Sequence, residues 1–466
     1  MFNLIFLWVF TLALDFGNIY CFVKKKYLYL FIPCMLFLPD YYGIDISPSL
    51  PLMTAARMMF VVFYIYAWIN RRRDLNLKSI RLKELPKEYL FFGGYFVFRI
   101  VSNLYYVPTY GQAVKSLFLI IFEQLLLLVA VYLLAPNKEE IITLVKVIVW
   151  VAVALFVVGI IECIFSVKPF DALYTVGRNL YVLDYYRLGL LRATTTMYAP
   201  SIYGNMWILI FPLILYLYEM TRTKKYIIAA GLDVLAIIHS GARADMLFLF
   251  AVIFFYFVLV LRDKNRRILF MKNSGVVAFV LVAYMCIASM CSASLKYYYV
   301  GTAKSLLNEV GFEFDLDEDA PEGTEGYGYN SNGSISRTRQ FTGMYYVAKI
   351  NPLFGLGSGA DRRGEIKYYW HSQRGFDKWI VAYAYDVGIV EIFCNEGLMG
   401  LIGVCLLFVY MLMKSSKNSF YKLAIVCYLL STLSTGNMFE FLMTYIIVFT
   451  GLGQKKSICN NNAQYI

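Results

Sequence analysis

SGVVAFVLVAYMCIASMCSASL, Ser274 to Leu295, carries no charge, and the stretch behind it, Lys296 to Asp386, is far too hydrophilic to lie in lipid. As a helix the apolar stretch rises about 33 Å, enough to cross ~30 Å of hydrocarbon. Working outward, similar apolar runs precede it at 2–22, 27–39, 52–69, 89–107, 112–134, 142–165, 200–219, 226–240 and 244–261. Three more, at 386–413, 422–436 and 439–453, follow the polar stretch. The pattern predicts an all-α polytopic integral membrane protein with about 12–13 transmembrane helices. The run at 27–39 is short enough to be tilted or only partly inserted.

Composition agrees. Hydrophobic residues make up 60% and charged residues 16%, with a mean hydropathy of +0.60, which leaves too little polar surface for a water-soluble globule. A net charge of +12 would suit nucleic acid if the basic residues formed a stripe. They cluster instead in loops on alternate sides of the runs: Lys24–Lys26, Arg71–Lys87, Arg222–Lys225, Arg262–Lys272, Lys414–Lys422 and Lys455–Lys456. That is the positive-inside pattern of a plasma-membrane protein, and no nucleic-acid partner is expected. With these loops cytoplasmic, 40–51, 108–111, 166–199, 239–243, 296–385 and 436–438 lie outside. The expected organisation is helices with short loops and one longer outside loop over 1–295, a large outside loop over 296–385, and carboxyl-terminal helices with a short cytoplasmic tail over 386–466. No basic residue precedes the first run and no small-x-small site follows it before Lys24, so a first spanning helix is expected rather than a cleaved leader. Eight of the nine cysteines fall in or beside apolar runs, and His239 and His371 are the only histidines, so neither a disulfide scaffold nor a metal site is expected.

Charges inside the runs need partners, since each costs about 2.5–3.5 kcal/mol at a helix centre on insertion scales. Arg57 and Arg99, with Asp15, Glu123, Glu162 and Asp233 as acidic counterparts, suit either structural ion pairs or a charged cavity opening outward and lined by the two arginines. The acidic run EFDLDEDAPEGTE (Glu313 to Glu325) alternates aspartates as calcium loops do, but Ala320 and Gly326 stand where such a loop wants Gly and Glu. A solvated loop is the reading.

Three themes in the polar segments can carry chemistry. GLGSG (Gly355 to Gly359) fails as a dinucleotide fingerprint, because Arg362 stands at the third glycine's place and no parallel strand precedes it. Pro352 with alternating glycines does predict a sharply turning backbone whose N–H groups suit an anion or a sugar, or else a plain turn. Arginines on the outside loops, Arg178, Arg187, Arg192, Arg243, Arg337 and Arg339, suit a diphosphate if they converge, since guanidinium grips phosphate oxygens in a fork; otherwise they pair with headgroups or acids. Tyr297, Tyr298, Tyr299, Tyr327, Tyr329, Tyr368, Tyr369, Trp370 and Trp379 exceed what interface anchoring needs, and some of these rings suit the apolar C–H faces of sugars.

The order of the motifs is informative. RATTTMYAPSIYGN from Arg192, SGARAD (Ser240 to Asp245), SRTRQ (Ser336 to Gln340), NPLFGLGSG (Asn351 to Gly359) and NEGLMG (Asn395 to Gly400) together resemble the bacterial O-antigen polymerase and ligase superfamily. The similarity covers roughly 190–405 by motif and the whole chain by topology. It implies a GT-C-like membrane glycosyltransferase, metal-independent and without cofactor. Such an enzyme moves a glycan from undecaprenyl diphosphate onto an acceptor hydroxyl at the outer face of the bacterial inner membrane. Arg192, Arg243 and Arg337, with Arg339 beside them, would bind the lipid diphosphate and stabilise its developing charge. Gly355, Gly357, Tyr369 and Trp370 would meet the glycan. Partners implied are lipid-linked oligosaccharides, membrane lipids, a chain-length regulator and other polysaccharide-assembly proteins.

One position separates the branches. Ligases, which pass glycan to lipid A core, carry a histidine followed by Asn, Ser or Gln, then nine residues, then G-x-x-G. Counted back from Gly397 and Gly400, that place holds Asp386 and Val387, while His371–Ser372 has the right dipeptide too far upstream. A carboxylate there resembles the polymerases of O-antigen, capsule or exopolysaccharide. Asp386 is the candidate base and His371 the second, or Asp386 only orients an arginine or a sugar hydroxyl. Glu391 and Glu396, deeper in the helix, read as structural, although Glu396 has the option of facing the cavity. Against the enzyme stands a flippase or transporter, which usually shows repeated halves with broken helices, and no such repeat is visible. A scaffold for polysaccharide assembly is the third reading.

Overall fold

Backbone N–H and C=O groups in lipid must bond within their own segment, so apolar runs free of breakers become helices. The computed structural model describes residues 2–47, 50–73, 87–174, 184–261, 263–309, 311–316, 320–321, 332–371, 377–415 and 418–450. Among these the fold is all-α with two short antiparallel hairpins. In the amino-terminal half run α1 (Phe2–Val23), α2 (Phe31–Phe37), α3 (Ala55–Ile69) and α4 (Lys87–Tyr106). Next, α5 (Gly111–Phe118) continues through a π-helical section, Leu119–Leu126, into α6 (Leu127–Leu134), and α7 (Lys138–Phe165) follows. A small hairpin, β1 (Tyr186–Arg187) with β2 (Leu190–Leu191), precedes α8 (Pro200–Thr221), α9 (Lys225–Ser240), α10 (Arg243–Leu259) and α11 (Lys264–Cys291). Then come α12 (Ala293–Glu309), α13 (Asn332–Ile350), a second hairpin of β3 (Ile366–His371) and β4 (Asp377–Ala382), α14 (Gly388–Lys414), α15 (Ser419–Ser434) and α16 (Phe439–Phe449).

Among the described residues six helices are long and apolar enough to cross a membrane: α1, the α5–α6 run, α7, α8, α11 and α14. Three apolar helices, α3, α15 and α16, are shorter. That count is by length and composition, and shorter apolar runs of the sequence form helices too: α9 and α10, with 16 and 17 residues, extend about 24–26 Å. Central α8 is buried along nearly its whole length, whereas α11 leaves Val276, Phe279, Val280 and Met290 exposed, as a lipid-facing helix does.

The charged-cavity reading of Arg57 and Arg99 is overturned. Arg57 is buried and pairs with Asp40 at 2.6 Å and with Glu123, which the π-helical section carries. Arg99 grips Glu396 in a fork of 2.8 and 2.7 Å and donates to the Tyr95 hydroxyl at 2.8 Å. The ion-pair alternative holds, and Glu396 is structural as expected.

The polar stretch is more ordered than a loop. α12 and α13 lie within it, and β3 pairs with β4 from Ile366↔Ala382 to His371↔Asp377. Strand alternation explains the hairpin: Ile366 and Tyr368 are buried against Val347 of α13 and against Val387 and Val390 at the start of α14. Gly343 on α13 is where Tyr368 packs, and a methyl group there would meet the tyrosine ring at 2.6 Å.

Helix α14 breaks at Gly397, whose φ of +66° and ψ of −155° are non-helical. The segment Pro352–Gly357 fills the break. Leu398 and Met399 N–H donate to Pro352 and Leu353 carbonyls at 2.9 and 3.1 Å, and Leu356 and Gly357 N–H donate to Cys394 and Asn395 carbonyls at 2.8 and 3.1 Å. The motifs NPLFGLGSG and NEGLMG are therefore two halves of one backbone joint, which satisfies groups that a broken apolar helix would leave bare.

Candidate functional site

The end of α9 is the meeting point of the arginines. Gly241, at φ +60°, turns the chain from α9 into α10 and leaves the last carbonyls of α9 facing outward from the helix end. Arg192 Nε donates to the Ser240 carbonyl at 2.6 Å, Arg187 donates to the Gly241 carbonyl, and the Tyr298 hydroxyl donates to the Ile238 carbonyl at 2.6 Å. Arg187 and Arg243 both reach the buried Ser305 hydroxyl on α12, at 3.2 and 3.3 Å. Arg192 is fixed from behind, because the buried Glu162 carboxylate accepts the Thr194 and Thr195 N–H groups at 2.9 and 2.8 Å. Arg337, from the start of α13, lies close enough for its charge to act on both Arg192 and Asp245.

Four arginines from three separate segments thus meet at one corner. Burial first, and then the charge of Arg337, lowers the Arg192 pKa from its usual value, while Tyr298 and Asp245 oppose the shift. Among the described residues neither Arg192 nor Arg337 has a carboxylate at salt-bridge distance. The nearby acid is Asp245, buried, whose Oδ1 accepts from the Ser434 hydroxyl at 2.8 Å. Arg192 and Arg337, close in space and without a carboxylate each among the described residues, make a site that an anion relieves.

Asp386 reaches this corner through a residue that the sequence did not single out. Gln340 stands one turn after Arg337 on α13. Its side-chain NH2 donates to Asp386 Oδ2 at 2.6 Å, and its carbonyl accepts the Asp386 and Val387 N–H groups at 2.9 and 3.2 Å. The exposed carboxylate therefore sits immediately before α14, held in orientation by α13. The motif SRTRQ contained Gln340, but its partner lies 46 residues downstream, and only the fold joins them.

Other expectations fare differently. Arg339, two residues on from Arg337, accepts the Thr342 hydroxyl at its backbone carbonyl at 2.5 Å. Gly355 and Gly357, at φ +69° and +83°, do turn sharply, but their N–H groups bond Asn351 and Asn395 carbonyls. A backbone free to cradle an anion is therefore corrected to one committed to the α14 break. Tyr369 lies on β3, where its N–H donates to the Thr342 hydroxyl at 2.8 Å and its ring meets Trp379 at 5.4 Å. The backbones of Trp370 and His371 end β3, and their side chains lie outside the described residues. His239 is structural: buried, it bonds the Leu235 carbonyl through Nδ1 at 2.8 Å and the Tyr299 hydroxyl through Nε2 at 3.1 Å.

Farther along α13 an open cleft of about 730 Å³ lies between the end of α4 and the segment after α13. Tyr105, Tyr346, Phe354, Asn351, Glu365 and Lys367 are among its walls.

With this geometry in hand, comparison with known families is informative. Residues 228–405 match the family model described as O-antigen ligase. The match supports the O-antigen polymerase and ligase superfamily whose motifs the chain resembles, and does not separate its two branches. It begins inside α9 and ends inside α14, so the α9–α10 corner, α13, the hairpin and Asp386 all lie within it. No curated protein matches the chain.

Proposed function

We propose that the protein is a polysaccharide polymerase of the O-antigen type in the bacterial inner membrane, with its site facing the outside. It transfers a glycan from undecaprenyl diphosphate to a sugar hydroxyl of another lipid-linked repeat unit. The observation that carries this is the meeting of Arg187, Arg192, Arg243 and Arg337 at the end of α9, beside the Gln340–Asp386 pair. The acceptor hydroxyl oxygen attacks the anomeric carbon, its proton passes to the Asp386 carboxylate, and the sugar–phosphate C–O bond breaks. Undecaprenyl diphosphate leaves with the electron pair, its added charge met by the arginines. No nucleotide enters the step.

The ligase reading rests on the description of the matching family model. Asp386 in place of the ligase histidine favours polymerisation, and with it the acceptor is a repeat unit rather than lipid A core. The test is purified protein given its lipid-linked repeat, with products sized on a gel. A ladder of longer chains is expected from the wild type. Arg192→Ala, Arg243→Ala and Arg337→Ala should each slow extension by about 10²–10³-fold, the effect of removing one well-placed donor. Wild-type ladders from all three correctly inserted variants would overturn the diphosphate role.

A further inference from the structure

The cleft beside α13 takes no part in the scheme above, and its walls have a particular chemistry. Tyr105 at the end of α4 stacks on Phe354 with ring centroids 4.4 Å apart and planes 5° from parallel, and Tyr105 remains 55% exposed. Tyr346 faces Trp379 at 5.6 Å, and Trp379 faces Tyr369 at 5.4 Å, so a row of rings runs from the hairpin into the cleft. Polar groups edge the rings: the Glu365 carboxylate, held by Arg363 at 2.7 Å and by the Tyr110 hydroxyl at 3.3 Å, and the ammonium of Lys367 above Tyr346. Flat rings bordered by fixed hydrogen-bonding groups suit pyranoses, which pair apolar C–H faces with a rim of hydroxyls. A lipid tail would need the rings without the polar rim. The volume of about 730 Å³ falls in the usual range of small-molecule sites, and the cleft is open, as a chain of sugars needs.

Position narrows the occupant. One helix carries Arg337, then Gln340 with Asp386, then Tyr346 and Ile350 of the cleft, over about 20 Å. A displacement needs leaving group and nucleophile on opposite sides of the reacting carbon, with the base beside the nucleophile. The arginines lie on one side of Asp386 along α13 and the cleft on the other. We infer that the cleft is a glycan subsite holding the sugars of the acceptor repeat while the arginines hold the donor's diphosphate. The inference rests on the reading of the chain as a lipid-linked glycan transferase.

The probe is the repeat oligosaccharide freed from its lipid by mild acid, titrated onto the purified full-length protein in detergent and followed by calorimetry. Saturable binding is expected. Tyr105→Ala and Trp379→Ala should weaken it about tenfold each, and Tyr105→Phe and Trp379→Phe, which keep the ring, should restore it. In the extension assay the same alanine variants should raise KM for acceptor with little change in kcat. Arg337→Ala should lose transfer yet bind the free oligosaccharide as the wild type does. Absence of wild-type binding, or equal affinity in folded alanine variants, would overturn the subsite even if chains are extended normally. Binding that follows the rings in a protein that extends no chains would instead remove the polymerase reading and leave the glycan site standing.

Discussion

Asp386 is exposed and its carboxylate is aimed by Gln340, so the two make distinct predictions at the scale of single side chains. Asp386→Asn keeps the size and the hydrogen-bonding reach while removing the proposed base. Extension should fall about 10²–10⁴-fold, the usual contribution of a positioned base, with substrate affinity unchanged. Gln340→Ala leaves the carboxylate in place but no longer oriented, so kcat should fall with KM held, and Gln340→Glu, setting carboxyl against carboxyl, should be the worse of the two. A normal kcat in Gln340→Ala would show that the clamp is dispensable. Asp386 was readable from its count back to Gly397, whereas Gln340 was not, because a glutamine in a polar helix has no signature until its partner is known. The arginines could be grouped by residue type and by the side of the membrane the charge pattern predicts; what the sequence could not supply was that carbonyls at the end of α9 and the hydroxyl of Ser305 hold Arg187, Arg192 and Arg243.

At the scale of elements the central feature is the break in α14. The glycines from 355 to 359 were visible as turn formers, and the sharp turn they predict is there, whereas Gly397 was read only as a motif position within a continuous helix. Between the two readings the sequence left open, an anion or sugar cradle and a plain turn, nothing local says that the run will fill a gap in a helix some 40 residues later. Gly397→Ala should be severe, since alanine at φ +66° is strained and its methyl would strike Leu353 and Gly355 backbone rather than a side chain able to move. A loss of at least about 1–3 kcal/mol is expected, read as a lower melting temperature in detergent. The neighbouring Arg99–Glu396 fork ties α4 to α14 across the same break. Arg99→Met alone leaves a buried carboxylate unpaired and should cost about 3–5 kcal/mol, while Arg99→Met with Glu396→Met should recover most of that loss. A double variant as unstable as the single one would mean that the pair does more than neutralise charge.

For the whole molecule, helical class and membrane residence were legible because bilayer thickness and backbone desolvation leave few choices for long apolar runs. Helix ends were less so, since the runs read at 226–240 and 244–261 become α9 and α10 of 16 and 17 residues with their own boundaries. Polymerase, ligase and flippase differ in what the cell accumulates, and loss of the chain separates them. Without a polymerase, repeat units are still made, exported and attached, so the final acceptor should carry single repeats. Without a ligase, long chains would accumulate on their lipid and remain unattached. Without a flippase, single lipid-linked repeats would be trapped on the cytoplasmic side. The proposed polymerase predicts the first outcome, and a copy with Asp386→Asn should reproduce it at normal protein level. Unattached long chains in the deletion strain would reassign the carboxylate to a ligase that works without the histidine, with the arginine corner keeping the same task on the same lipid diphosphate.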